Sequence, residues 1–181
     1  MSIRGLCSKT GVNVGMFTYL FGTREKFIER IHNDLFHEFL NELKSVVNSS
    51  TVPMERLKLG LLKLSQVASS DRLLLIGLIR DTLNKDPVTL KMHKKFVPED
   101  VLLILSTISD CQEAGDLPKS LHPLEVFSIL APPLLMASLF GPFFHANISK
   151  HLGHLGKYRI DDLSKYEQRL NILLKGLKAW E

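Results

Sequence analysis

Cysteine is nearly absent from this chain. The two thiols, Cys7 and Cys111, lie far apart and in no metal-type spacing. That excludes a disulfide framework and a thiolate metal site, and it points to a reduced, cytoplasmic protein. Catalytic signatures are missing too. There is no phosphate-cradling glycine loop, no nucleophile elbow and no HExxH, so the chain is not read as an enzyme and no cofactor is called for. Met1 to Lys9 holds no apolar core of the length a signal peptide needs. No internal repeat, low-complexity segment or alternating strand pattern occurs, which leaves an all-α chain. Excess charge is small: the net charge is +4 over 181 residues, which excludes a generally basic nucleic-acid coat.

What is there is apolar residue in quantity, 45% of the chain, enough for a substantial core. The most informative stretch is Ser2 to Phe27. Ser2 can cap a first helix with Ile3, Leu6 and Cys7 on its apolar face, and Gly11 ends it. Val12 is expected to point inward from the turn. Asn13 caps a second helix to about Phe21, in which Phe17 and Phe21 share the buried face. Thr23 caps a third helix with Glu25 in its first turn. Two short helices around a glycine turn form a helix-turn-helix pattern, whose second helix enters the DNA major groove. Between Met1 and Lys26 the charged residues are Arg4, Lys9, Arg24 and Lys26 against one acid, Glu25, so most of the chain's excess charge sits at this end. Phosphate contact requires such a positive end.

These residues also resemble a family. Leu6-Cys7, Thr10-Gly11-Val12-Asn13, Gly15-Met16-Phe17, Phe21, Thr23-Arg24-Glu25 and Phe27 are similar to the DNA-binding domain of the tetracycline-repressor (TetR) family of bacterial transcriptional regulators. The resemblance implies that Val14, Gly15, Met16 and Tyr19 approach bases, with Asn13 at the helix start. Thr18, Thr23 and Arg24 would hold phosphates, with Lys9 a weaker contributor. The family usually has tyrosine at Thr18 and lysine at Arg24. Its domain also carries an earlier helix packed over these two, and this chain begins where that helix ends. Without that cover Ile3, Leu6 and Phe17 are expected to be partly exposed, and DNA affinity to be reduced.

Beyond the motif, Thr23 to about Val47 reads as one long helix with an inner stripe of Phe27, Ile31, Leu35, Phe39, Leu43 and Val46. Asn48 to Thr51 is a loop and the expected boundary between parts 1–47 and 48–181. Pro53 starts a helix to about Ala68. Asp71 caps another whose run Leu73 to Ile79, apolar on all sides, is expected to be central and buried. Asp86-Pro87 starts a short helix toward Phe96, Pro98 a separate one ending near Gly115, Pro123 the next, and Asp161 or Asp162 the last.

Val126 to Phe144 contains no charge, long enough to raise a membrane span, but Pro132, Pro133, Gly141 and Pro142 read instead as a kinked or broken buried helix. No membrane partner is expected. The family pairs its protomers through two late helices, so residues 123–146 and 161–180 are the expected homodimer contacts. In the latter, Leu163, Tyr166, Leu170, Leu173, Leu174 and Leu177 offer a core face and a contact edge.

His145, His151 and His154 lie close in sequence, but without an acidic or thiol ligand they are read as solvated loop histidines, not a metal site. Arg80, Asp81, His93 and Cys111 interrupt apolar runs and either pair in the core or line a cavity. Family members sense small molecules within the large helical domain, and the expected lining is Leu75, Ile79, Arg80, Met92, Phe96, Ile108, Cys111, Phe127, Met136 and Phe140.

The expectation is therefore an all-α protein with an N-terminal helix-turn-helix joined by a long helix to a larger helical ligand-binding and dimerisation domain. Its expected function is a cytoplasmic, ligand-responsive regulator, a repressor by the family's common mode, reading a palindromic double-stranded DNA operator as a homodimer. The alternative is a helical dimerisation or small-molecule-binding protein without working DNA binding.

Overall fold

The computed structural model describes residues 2–179, with the backbone alone at positions 32, 93, 95–98, 149, 155 and 156. Helix makes up 81% of the structure, and no strand occurs among the described residues, so the fold is all-α. In chain order the helices are α1 (Ile3–Thr10), α2 (Val14–Phe21), α3 (Arg24–Val47), α4 (Pro53–Ser70), α5 (Arg72–Leu83), α6 (Pro87–Glu113), α7 (Pro123–Asn147) and α8 (Tyr166–Lys178). Short 3-10 turns fill the stretch between α7 and α8.

The core sits where α4 packs against α3, α6 and α7, with α8 closing one side. Leu43 and Val47, Leu57 and Leu61, Ile104 and Ile108, Leu130 and Leu134, and Leu170 with Tyr166 meet there, all fully buried. Each large aliphatic chain removed from water contributes about 1.5–3 kcal/mol. Gly60 lets these helices approach closely: a Cβ there would stand 2.7 Å from Ile104 Cδ1 and 3.1 Å from Val47 Cγ2.

Polar groups inside this core are satisfied. Ser138 donates to the Ser65 carbonyl at 3.0 Å and lies 3.0 Å from the Tyr166 hydroxyl, tying α4, α7 and α8 together. Burial raises the Tyr166 phenol above its ordinary pKa. Gln112 Nε2 donates to the carbonyls of Pro118 and Leu121, pinning the α6–α7 loop. Arg56 bridges three helices, donating to the Val47 carbonyl and to Asp110 at 2.8 Å.

Several sequence expectations need correction. The long-helix stripe turns about one residue further than expected. Leu40, Leu43 and Val47 are buried, whereas Leu35 is exposed and Val46 is only partly covered. Asp71 occupies the cap position before α5 but its side chain makes no cap bond. Asp86 does cap α6, accepting from Thr89 N at 2.9 Å, and that bond lowers its carboxyl pKa. The two helices expected at Pro87 and Pro98 are one continuous helix, Pro87–Glu113. An interior proline forfeits one backbone hydrogen bond, about 3 kcal/mol, and packing of α6 against α3, α4, α5 and α7 outweighs it.

The same holds for α7. It is neither broken nor interrupted at Pro132, Pro133 or Pro142. Ser128 and Ile129, whose carbonyls lose donors to the first two prolines, face solvent, where water can serve them. On its opposite side Val126, Leu130, Leu134 and Leu139 are buried. Among the described residues α7 is the one helix long and apolar enough to cross a membrane, with mean hydropathy 1.7 over its best window.

Candidate functional site

Two places gather the residues that carry chemistry. The first is the α1–α2 end. Ser2 Oγ accepts from Gly5 N at 3.1 Å, and Gly11 takes the left-handed φ of 71° that ends α1. Asn13 Oδ1 accepts from Gly15 N at 2.6 Å and opens α2. Thr23 Oγ1 accepts from Lys26 N at 3.2 Å and opens α3. The pair is held onto α3 by three rings: Phe17, Phe21 and Phe27 have centroids 4.7–5.1 Å apart.

That aromatic triangle corrects the expectation that Phe17 would be partly exposed. It is buried, while Ile3 and Leu6 are the half-covered pair, opening on a small crevice with Phe27 and Ile28. Val12 does not point inward either. It is 37% exposed.

The outer face of α2 carries Val14, Met16, Tyr19 and Leu20, all exposed, with Tyr19 at 89%. Gly15 and Thr18 share that exposure. Leu20 was not singled out in the sequence, although its position beside Tyr19 could have suggested it. On the flanking helices Arg4, Lys9 and Lys26 are exposed, and Arg24 is partly covered where it lines the crevice with Ile3 and Leu6. Thr18 Oγ1 donates to the Val14 carbonyl at 3.0 Å, so its one hydrogen is spent within the helix. Thr23, by contrast, uses only acceptor capacity in its cap and keeps its hydrogen for an outside acceptor.

The second place is a cavity of about 790 Å³ beneath α5, bounded by α3, α4, α6 and α7. Leu75, Ile79 and Met92 line it as expected. The other expected lining residues lie elsewhere. Ile108 and Cys111 are wholly inside the core, and Phe127 packs on that core. Met136 and Phe140 face outward from α7. Arg80 pairs with its neighbour Asp81 at 2.7 Å instead of entering the cavity. Phe96 falls outside the described side chains. Phe36, Phe39, Leu64, Leu90 and Leu135 line the cavity without having been foreseen.

The exposure of α5 is the largest departure. Its run Leu73 to Ile79 is apolar on all sides, yet no residue of the helix is buried, and Leu73 is 78% exposed. A second groove of about 700 Å³ adjoins the cavity, sharing Phe36, Phe39, Leu75 and Leu78 and reaching Leu74. Much of the apolar surface of α5 thus borders open space instead of core.

Among the described residues Asp100 is the one acid of the cavity wall. Its Oδ1 is buried with no hydrogen-bond partner. Desolvation raises its carboxyl above the ordinary range. The sequence shows Asp100 only as an acid two residues after Pro98, which reads as a first-turn helix acid.

No group of three or more His, Cys, Asp or Glu side chains among the described residues could hold a metal ion. His151 and His154 are exposed on the 3-10 turns after α7. Burial pushes the Cys111 thiol up to about 12, which leaves it unreactive at neutral pH. Set beside protein-family models, curated proteins and solved structures, the chain matches none.

Proposed function

We propose that this protein is a ligand-responsive, DNA-binding transcriptional regulator of the TetR type, acting as a homodimer on an inverted-repeat operator. The observation that carries the reading is α2, which stands outside the bundle on two capped turns. Its outer face is exposed, and the flanking helices α1 and α3 carry the exposed cations Arg4, Lys9 and Lys26. Val14 and Met16 suit thymine methyl groups, and Tyr19 offers a hydroxyl to a base edge. Lys9, Thr23 and Arg24 suit phosphates, and Thr18 reaches one only by leaving Val14.

Dimerisation uses the outer face of α7, where Ile129, Met136, Phe140 and Phe143 follow helical spacing and stay exposed, together with the edge of α8 at Ile172. Such an apolar row needs about 800 Å² of cover per protomer to form a stable contact. Two protomers then place two copies of α2 on successive turns of the duplex. A ligand in the cavity that prefers another placement of α5 and α6 shifts the population away from the DNA-competent spacing.

One observation favours the second reading, a helical dimer or small-molecule binder without DNA recognition. Helix α2 holds no charged side chain, and its exposed face is mostly apolar. Selection from randomised duplex DNA separates the two. Enrichment of an inverted repeat supports the regulator, and no enrichment at any salt concentration rejects it.

A further inference from the structure

The cavity beneath α5 is lined almost wholly by carbon, and its few polar groups differ in how far they are committed. Thr82 Oγ1 donates to the Leu78 carbonyl at 2.8 Å, and Thr89 Oγ1 donates to Asp86 at 3.1 Å, so both hydroxyl hydrogens are used. Lys94 is on the wall but solvent-exposed, where water satisfies its ammonium. The adjacent acid, Glu99, faces Lys44 at 3.5 Å, with both side chains largely in water. Among the described residues of the wall, Asp100 alone presents a buried acceptor, Oδ1, with no hydrogen-bond partner. A buried oxygen without a donor is costly, more so if charged, so a ligand that supplies the donor gains what the empty protein lacks.

We infer that the cavity takes an amphiphile with a protonated, hydrogen-bond-donating nitrogen, a primary or secondary alkylamine, whose head meets Asp100 and whose tail lies among Leu75, Ile79, Leu90, Leu135 and Leu139. This inference rests on the cavity being the effector site. The ligand brings a charge opposite to that of a carboxylate and the N–H that Oδ1 lacks. A volume of about 790 Å³ falls within the range of small-molecule pockets. Fatty acids of the same length lose on both counts, because their carboxylate repels Asp100 and brings no donor.

The test is displacement of Nile red, a neutral apolar dye, from the full chain. Decylamine, decanol, decanoate and decyltrimethylammonium serve as competitors, on wild type and Asp100→Asn. A charge-assisted hydrogen bond predicts that decylamine displaces the dye at concentrations about tenfold below decanol and decanoate. Decyltrimethylammonium, with charge but no N–H, falls between. The advantage of decylamine shrinks to about threefold or less in Asp100→Asn. If the dye binds but decylamine has no advantage over decanol in wild type, the inference is overturned and the cavity stands. An advantage that survives Asp100→Asn overturns it equally. If the dye does not bind at all, both the inference and the effector-site reading fail.

Discussion

Gly141, Gly60 and Gly77 show how differently one missing methyl group can act. A Cβ at Gly141 would stand 2.5 Å from Asp161 Cβ and 3.1 Å from the Asp161 backbone nitrogen. Asp161 is itself fixed, 8% exposed and bonded to Arg159, which holds its carboxyl below the usual range. Backbone cannot swing aside, so Gly141→Ala must move the segment that precedes α8. At Gly60 the nearest atom is the end of the Ile104 side chain, which can rotate within a tight core. Nothing lies within 4 Å of Gly77. Thermal unfolding should therefore rank the alanine variants. Gly141→Ala loses the most and Gly60→Ala loses about 1–3 kcal/mol. Gly77→Ala gains about 0.5–1 kcal/mol from helix propensity.

Asp100 and Cys111 carry residue-scale predictions of their own. The folded pKa of Asp100 is raised, so the folded state binds its proton more tightly than the unfolded chain does. Its penalty is complete above the folded pKa and vanishes as pH falls below the unfolded value of about 3.9. Asp100→Asn should thus be more stable than wild type at neutral pH, and the difference should narrow on acidification. Chemical denaturation at several pH values checks the sign. Both cysteines are buried, and Cys111 is held in the main core with a pKa of about 12. A disulfide reagent at neutral pH should label neither promptly. Cys7 should react first, through opening of the small α1–α2 end, and Cys111 only on global unfolding.

At the scale of elements, local capping chemistry was the most legible part of the sequence. Ser2, Gly11, Asn13, Thr23 and Asp86 act where their residue types place them, because each acts on backbone groups within three residues of itself. The prolines misled in one direction only. Pro53, Pro87 and Pro123 do start helices, whereas Pro98, Pro132, Pro133 and Pro142 lie inside them. The difference depends on packing beyond the local sequence. Helix α5 misled for a related reason: an all-apolar run marks low affinity for water, and only the tertiary arrangement shows that it borders cavities. The cavity itself was legible to three residues, Leu75, Ile79 and Met92. Its acid was hidden behind a helix start that does not exist. With no buried residue, α5 should exchange its amide hydrogens faster than α6 or α7, and occupancy of the cavity should slow that exchange.

For the whole molecule, the decisive surfaces are those the fold leaves uncovered. The row from Ile129 to Phe143 on α7 backs directly onto the buried face of the same helix, so an outward change there spares the core. Phe140→Glu together with Phe143→Glu should convert the proposed dimer to a monomer by sedimentation velocity while leaving the helical circular dichroism intact. The opposite end of the chain holds most of the excess positive charge and the exposed face of α2. The measurement that bears most directly on the account is fluorescence anisotropy of the full chain with duplex DNA flanking its own gene, beside scrambled duplex, at two salt concentrations. The account predicts tight, salt-sensitive binding that prefers the native fragment, weakened by Arg24→Ala on both DNAs and by Tyr19→Ala on the native fragment above all. Equal, weak binding to both DNAs, unchanged by either substitution, would contradict it.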